Sequence, residues 1–204
     1  VNGDVYEGDF FINQMHGNGI FLWANGDRYS GSFIANRRHG VGRMSWAEGQ
    51  RYDGGFENDT LQGIGTYQWP DGRYFEGNFL RGQRTGLGVF KASDGTLYRG
   101  SFVDGQRHGH LIKRLQQGEL FLEEYRADAL IESSLIAVNS RCKFRDVNGE
   151  WMVKANSCIN GLAHGIGKAA SLTGLALIEG GEWVLGALVA GTVVALPQLA
   201  PETG

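Results

Sequence analysis

Proline is nearly missing from this sequence, with 3 residues in 204. That scarcity excludes collagen-like and proline-rich disordered chains. A basic excess is also missing, because 22 acidic residues against 19 Lys and Arg leave a formal net charge of -3. General nucleic-acid binders and polybasic membrane anchors carry the opposite balance, so no nucleic-acid partner is expected. The longest charge-free apolar run, Trp183 to Leu196, is too short to cross a bilayer as a helix and contains Gly186 and Gly191. There are 2 cysteines and no second Cys pair, too few for a zinc centre with its usual four ligands. No Gly-x-Ser-x-Gly elbow occurs, and none of the Gly-x-Gly pairs opens a helix as a dinucleotide loop does.

Glycine, by contrast, is abundant at 33 residues, and it is periodic. Gly3, Gly26, Gly49, Gly72 and Gly95 lie 23 apart, and so do Gly8, Gly31, Gly54, Gly77 and Gly100. Two positions before the second series stand Tyr6, Tyr29, Tyr52, Phe75 and Tyr98; two positions after it stand Phe10, Phe33, Phe56, Phe79 and Phe102. His16, His39, Gln62, Thr85 and His108 share a further slot, each followed by Gly, and Trp23, Trp46 and Trp69 share another that Ala92 breaks. Each unit therefore holds two segments that alternate with period two, joined by turns, which predicts a β-hairpin. Asn25-Gly26, Asp71-Gly72 and Asp94-Gly95 mark hairpin turns. The alternation places aromatics and glycines on one face and mostly polar residues on the other. A lone hairpin is marginal, so stacked units must stabilise one another. The expected fold is all-β: an elongated, twisted, single-layer antiparallel sheet of 23-residue hairpins.

The signature Tyr-x-Gly-x-Phe…His-Gly-x-Gly, present as Tyr6-Glu7-Gly8-Asp9-Phe10…His16-Gly17-Asn18-Gly19, resembles the MORN (membrane occupation and recognition nexus) repeat. The resemblance covers residues 1 to about 115. It implies a scaffold that binds a protein or peptide in a groove, with a peripheral membrane or lipid-binding module, or a regulatory module of a larger enzyme, as the alternatives. Such arrays are also appended to enzymes such as lipid kinases and lysine methyltransferases, whose catalytic sequences are not found in this chain. The expectation is a module with no enzyme activity and no cofactor or metal.

Counting on by 23 puts Phe121 in the Tyr slot, Glu123 in the Gly slot and Tyr125 in the Phe slot, a degenerate sixth unit. The regular array is expected over 1–126, and a divergent continuation and cap over 127–204. Residues 127–138 fit either a helix face or the second strand of unit six, and register favours the strand. Cys158-Ile159-Asn160-Gly161…His164-Gly165-Ile166-Gly167 repeats the pattern in a shifted register, with Cys158 in the core Phe slot. This variant resembles a MORN-type element of bacterial envelope proteins, although Lys154 and Asn156 replace the Trp and Gly usual before the Cys. The resemblance implies a bacterial envelope or periplasmic protein, with the cytoplasm as the alternative.

Each candidate site has a plainer reading beside it. Cys142 and Cys158 are either a disulfide, which the envelope resemblance favours, or two buried thiols. Cys158 and His164 resemble a nucleophile and base, but their slots are those of a core side chain and a turn. Equivalent His16 and His39 lie two strands apart, about 10 Å at about 4.8 Å per strand, too far to share one metal. Tyr29, Trp23, Trp46, Tyr52, Trp69 and Phe75 are the candidate partner-binding residues: they either line an open aromatic groove or fill the sheet's own concavity. Arg37 and Arg38 form a local basic cluster suited to a lipid headgroup.

Overall fold

The computed structural model describes residues 3–136, 142–146, 149–159, 162–184 and 187–198. The described elements are all strands. In chain order they are β1 (Val5–Phe11), β2 (Gln14–Leu22), β3 (Arg28–Ile34), β4 (Arg37–Ser45), β5 (Arg51–Glu57), β6 (Thr60–Gln68), β7 (Tyr74–Leu80), β8 (Gln83–Lys91), β9 (Leu97–Val103), β10 (Gln106–Arg114), β11 (Leu120–Arg126) and β12 (Ala129–Ile136). These twelve form one open sheet in sequence order. β13 (Lys143–Asp146), β14 (Gly149–Ile159), β15 (Leu162–Ser171), β16 (Ala176–Val184) and β17 (Ala187–Ala195) form a second sheet of five, also in sequence order. The first sheet runs to Ile136, past the expected boundary at residue 126, because residues 129–136 are the second strand of unit six. No described helix is long and apolar enough to cross a membrane, which says nothing of strand-built spans.

By its internal contacts the chain divides into two compact units, residues 1–93 with 103–105, and the remainder. In the first unit two kinds of turn alternate. The turn inside each repeat is a two-residue reversal with both residues at positive φ, as at Ile12 (47°) and Asn13 (58°) or Asn58 (46°) and Asp59 (68°), the type I′ geometry that suits strand twist. The turn between repeats is wider: Gly26 N–H donates to the Trp23 carbonyl at 2.9 Å and Trp23 N–H to the Asp27 carbonyl at 3.0 Å. Here Gly26 alone takes positive φ, at 93°. Asn25-Gly26 is thus the end of a four-residue turn closed by a bulge, and not the two-residue reversal.

The repeats are latched to one another. Arg38 donates from its backbone N–H and its Nε to Asp59 Oδ1, both at 3.0 Å, and from its guanidinium to the Asp59 carbonyl at 2.9 Å. Asp59 N–H returns a bond to the Arg38 carbonyl at 3.0 Å. Asn36 does the same for Met15 one repeat earlier. At the opposite turns, Asp4 Oδ1 accepts from Ala24 N–H at 2.8 Å and Asp27 Oδ1 from Ala47 N–H at 2.9 Å.

In the second unit the face that is polar in early repeats turns apolar. Ile112, Leu122 and Ile136 are buried there. A side chain added at Gly174, in the β15–β16 turn, would meet Leu120 at 3.2 Å and Ile112 at 3.4 Å, so the second sheet covers this face of β10–β11. The second sheet has its own core of Cys142, Trp151, Val153, Ala163, Ala169 and Ile178.

Candidate functional site

The aromatic face divides into two rows. In the first, Tyr6, Tyr29, Tyr52 and Phe75 each lie flat across a pair of glycines on adjacent strands. A Cβ on Gly65 would stand 2.3 Å from Tyr52 Oη and 2.6 Å from its ring, closer than any side chain allows. The ring occupies the space a side chain would take. Tyr6, Tyr29 and Tyr52 each meet the Phe of their own repeat and the Phe of the next, edge to face, and Phe75 meets Phe79 of its own repeat in the same way. Tyr29–Phe33 and Tyr29–Phe56 are both 5.1 Å, Tyr52–Phe56 is 5.2 Å and Tyr52–Phe79 is 5.1 Å. Such contacts add about 0.5–1.5 kcal/mol apiece beyond area burial. Tyr52 Oη also donates to the Gly55 carbonyl at 3.1 Å. Burial pushes the Tyr29 and Tyr52 hydroxyls up to about 12.

Tyr29, Tyr52 and Phe75 have no exposed surface. As partner-contact residues they are corrected: they pack against glycines and their rings hold the repeats together. Trp23, Trp46 and Trp69 are different. They are half-buried and stand in a second row with Phe21, Tyr67 and Phe90, which are not among the candidate partner-binding residues read from the sequence. Trp46 touches Tyr67 at 5.5 Å, Tyr67 touches Trp69 at 4.5 Å, and Trp69 meets Phe90 at 6.1 Å, giving a continuous half-exposed stripe. Phe21 and Trp23 make a separate pair at 4.5 Å.

Arginines border this stripe. Arg73 lies 5.3 Å from the Trp69 ring centre; Arg84 lies 5.9 Å from Trp69 and 5.1 Å from Phe90. Arg84 also donates to the Gly105 carbonyl. Arg38 lies 5.7 Å from Trp23 and 5.4 Å from Phe56. Its latch to Asp59 and its 19% exposed side chain place Arg38 over the rings, so only Arg37 of the expected basic cluster is turned to solvent in its backbone register. The signal for these arginines was available: Arg38, Arg84 and Arg107 occupy one slot of the repeat, just before the His/Thr position.

Elsewhere, Glu123 in its Gly slot is 1% exposed and fully engaged. It accepts from Tyr125 Oη at 2.6 Å, Ser133 Oγ at 3.1 Å and Lys113 Nζ at 3.3 Å. His16 packs on Phe11 at 5.6 Å. Cys142 is buried in the second sheet, whereas the Cys158 side chain, and with it the expected pairing, lies outside the described residues, as does the His164 side chain. Among the described residues no three His, Cys, Asp or Glu side chains gather as metal ligands do.

The profile of the MORN repeat matches residues 6–28, 29–51, 52–72, 75–97 and 98–110, half of the chain, in the register of these hairpins. The chain belongs to the MORN repeat family. No curated protein matches it significantly. Among solved structures, the MORN chain is similar to the SAS-4 (dCPAP) TCP domain in complex with a proline-rich motif of Ana2 (dSTIL) of Drosophila melanogaster. That alignment has 14% identity over 66% of this chain and 78% of that one, at a TM-score of 0.35. It is also similar to the TCP10 domain of Danio rerio CPAP in complex with a peptide of Danio rerio STIL. There the identity is 13% over 93% and 99% of the two chains, at a TM-score of 0.21. Superpositions this loose carry no function from one chain to the other.

Proposed function

We propose that this MORN array is a non-enzymatic interaction scaffold that captures an extended peptide of a partner protein along the stripe Trp46, Tyr67, Trp69 and Phe90. The observation behind this reading is that these rings are half-exposed and contiguous, whereas the neighbouring row of Tyr and Phe is sealed. Tryptophan and tyrosine partly exposed beside arginine are the residue types that dominate binding hot spots. Trp46 and Trp69 occupy equivalent slots two strands apart, roughly 9.6 Å at about 4.8 Å per strand. A polyproline-II segment repeats its face every three residues, about 9.3 Å. A ligand lying across the strands would therefore present one anchor every third residue.

The test is selection of peptides from a random library on the intact chain, followed by Trp46→Ala. Binding should weaken by about 2 kcal/mol or more, with little loss of melting temperature. A fall in stability of roughly 3–5 kcal/mol, without a specific loss of binding, would show that the ring is core and that the stripe is not a contact surface. A location in a bacterial envelope is the companion proposal, resting on the Cys158-centred motif alone. It is tested through the thiol state described below.

A further inference from the structure

One slot of the repeat changes the sign of its charge. It holds Glu7, Asp53 and Glu76 in the first, third and fourth units and Arg99 in the fifth. Asp53 is exposed there and pairs with Arg43 on the adjoining strand at 2.7 Å. Arg99 is in the opposite situation. It is 7% exposed, and its Nε has no hydrogen-bond partner. Among the described residues no carboxylate pairs with it.

The register shows what surrounds it. Asp53 stands opposite Thr66 and Arg51 opposite Gln68 where β5 meets β6. The same offset in the fifth unit sets Arg99 opposite Ile112 and Leu97 opposite Arg114. A Cβ on Gly100 would lie 2.9 Å from Leu111 Cα, as that offset requires. Arg114 is therefore the diagonal neighbour of Arg99 on one face of the sheet. Ile112 between them is fully buried, 3.4 Å from the Cβ position of Gly174 in the β15–β16 turn. The acidic residue that β11 contributes to this face, Glu124, is held by Lys168 Nζ at 2.9 Å. Burial pushes the Arg99 guanidinium below its ordinary range, and the positive charge of Arg114 pushes it the same way.

A buried charge without an opposite charge is costly, and a second cation beside it adds to the cost. An anion placed between the two arginines would remove both penalties. A guanidinium presents its N–H groups as a planar fork that matches the oxygens of phosphate or carboxylate. Two positive charges select between these. A carboxylate brings one negative charge, whereas a phosphate monoester carries about 1.5 to 2 at neutral pH. Arg114 is exposed, so it stands where an anion would enter.

We propose that Arg99 and Arg114 form a binding site for a phosphate group, with Arg99 as the sealed anchor and Arg114 at the mouth.

The probe is inorganic phosphate, titrated into the intact chain by calorimetry at constant ionic strength with chloride as the balancing anion. Saturable binding at one site is expected. Acetate should bind at least about tenfold more weakly, the worth of one lost charge-assisted hydrogen bond. Arg99→Met should abolish binding, and in chloride its melting temperature should equal or exceed that of the parent, because the buried charge is gone. Arg114→Gln, an exposed change that leaves the fold alone, should weaken phosphate about tenfold. At a phosphate concentration ten times the dissociation constant, the parent chain should melt about 3–6 °C higher than in chloride, and Arg99→Met should show no such rise. Flotation with vesicles containing phosphatidic acid, lost in Arg99→Met, would assign the group to a lipid headgroup; phosphate binding without flotation would assign it to a soluble phosphoester. Four results overturn the proposal: no saturable binding at millimolar phosphate, acetate binding as tightly as phosphate, phosphate affinity unchanged by both Arg99→Met and Arg114→Gln, or a lower melting temperature of Arg99→Met in chloride.

Discussion

Adding one methyl group at Gly65 should cost this protein about as much as truncating a large core side chain. The Cβ would lie 2.3 Å from Tyr52 Oη and 2.6 Å from two of its ring carbons, and no other atom lies as close. Tyr52 must move by about 1 Å or more to restore ordinary contact distances near 3.5 Å. Overpacking of this kind costs about 1–3 kcal/mol. Displacement also loosens two edge-to-face contacts, at 5.2 Å and 5.1 Å, worth about 0.5–1.5 kcal/mol each. It also strains the hydrogen bond to the Gly55 carbonyl, worth about 1 kcal/mol. Together Gly65→Ala should cost about 3–5 kcal/mol. Gly65 keeps an ordinary extended backbone, since it is not among the glycines at positive φ. With the ring removed by Tyr52→Ala, the same Gly65→Ala should cost nothing and even stabilise by about 0.5–1 kcal/mol, the usual advantage of Ala over Gly inside a strand. A double-mutant cycle measures this sign change. Native-state hydrogen exchange of the β5 and β6 amides is the assay, because it reads local opening in an array whose repeats need not unfold together. Equal costs of Gly65→Ala in both backgrounds would refute the account of the glycine as a bed for the ring.

Three further outcomes are expected. Burial raises the Tyr29 and Tyr52 hydroxyls to about 12, so the folded state holds their protons more tightly than the unfolded chain does. Their contribution is complete below pH 10 and is lost as pH rises from 10 towards 12, on the order of 2–3 kcal/mol each at about 1.36 kcal/mol per unit. Alkaline melts should show this loss, and Tyr29→Phe with Tyr52→Phe should flatten it, with Phe75 as the natural precedent in that slot. Asp59→Ala should cost about 2–3 kcal/mol, from a charge-assisted latch and a positive φ that Ala tolerates poorly. Asp59→Asn should recover most of it in urea melts, since Asn36 serves the same latch one repeat earlier. Thiol titration of the unreduced protein should find no reactive cysteine, and two reactive thiols would remove the argument for Cys142–Cys158 pairing and for an envelope location.

The count of 23 established the hairpins and their order, because each repeat writes its own turn glycines and its own alternation into the sequence. It also carried the strand over residues 129–136, where local composition fitted a helix equally well. Other features depend on what a neighbouring repeat contributes. Tyr52 and Trp46 are both aromatics on one face, yet one is sealed and the other half-exposed. The sealed ring lies over glycines of its own and the adjacent strand and is closed by the next repeat's Phe79, whereas the Trp slot lies at the wider turn with no such cover. Arg38 and Asp59 are 21 residues apart and in different hairpins, and only the stacking offset brings them together.

By itself, then, the sequence determined the all-β repeat, its register and the separation of an aromatic–glycine face from a polar one, since these follow from periodicity and from the steric demands of single residues. The tertiary structure decided which aromatics remain reachable and where arginines roof the rings. It also decided that the polar face gives way at Ile112, Leu122 and Ile136 to a surface covered by a second sheet. Those outcomes depend on which strand lies beside which and on what packs above it, and burial is a property of the assembled neighbours and not of the residue.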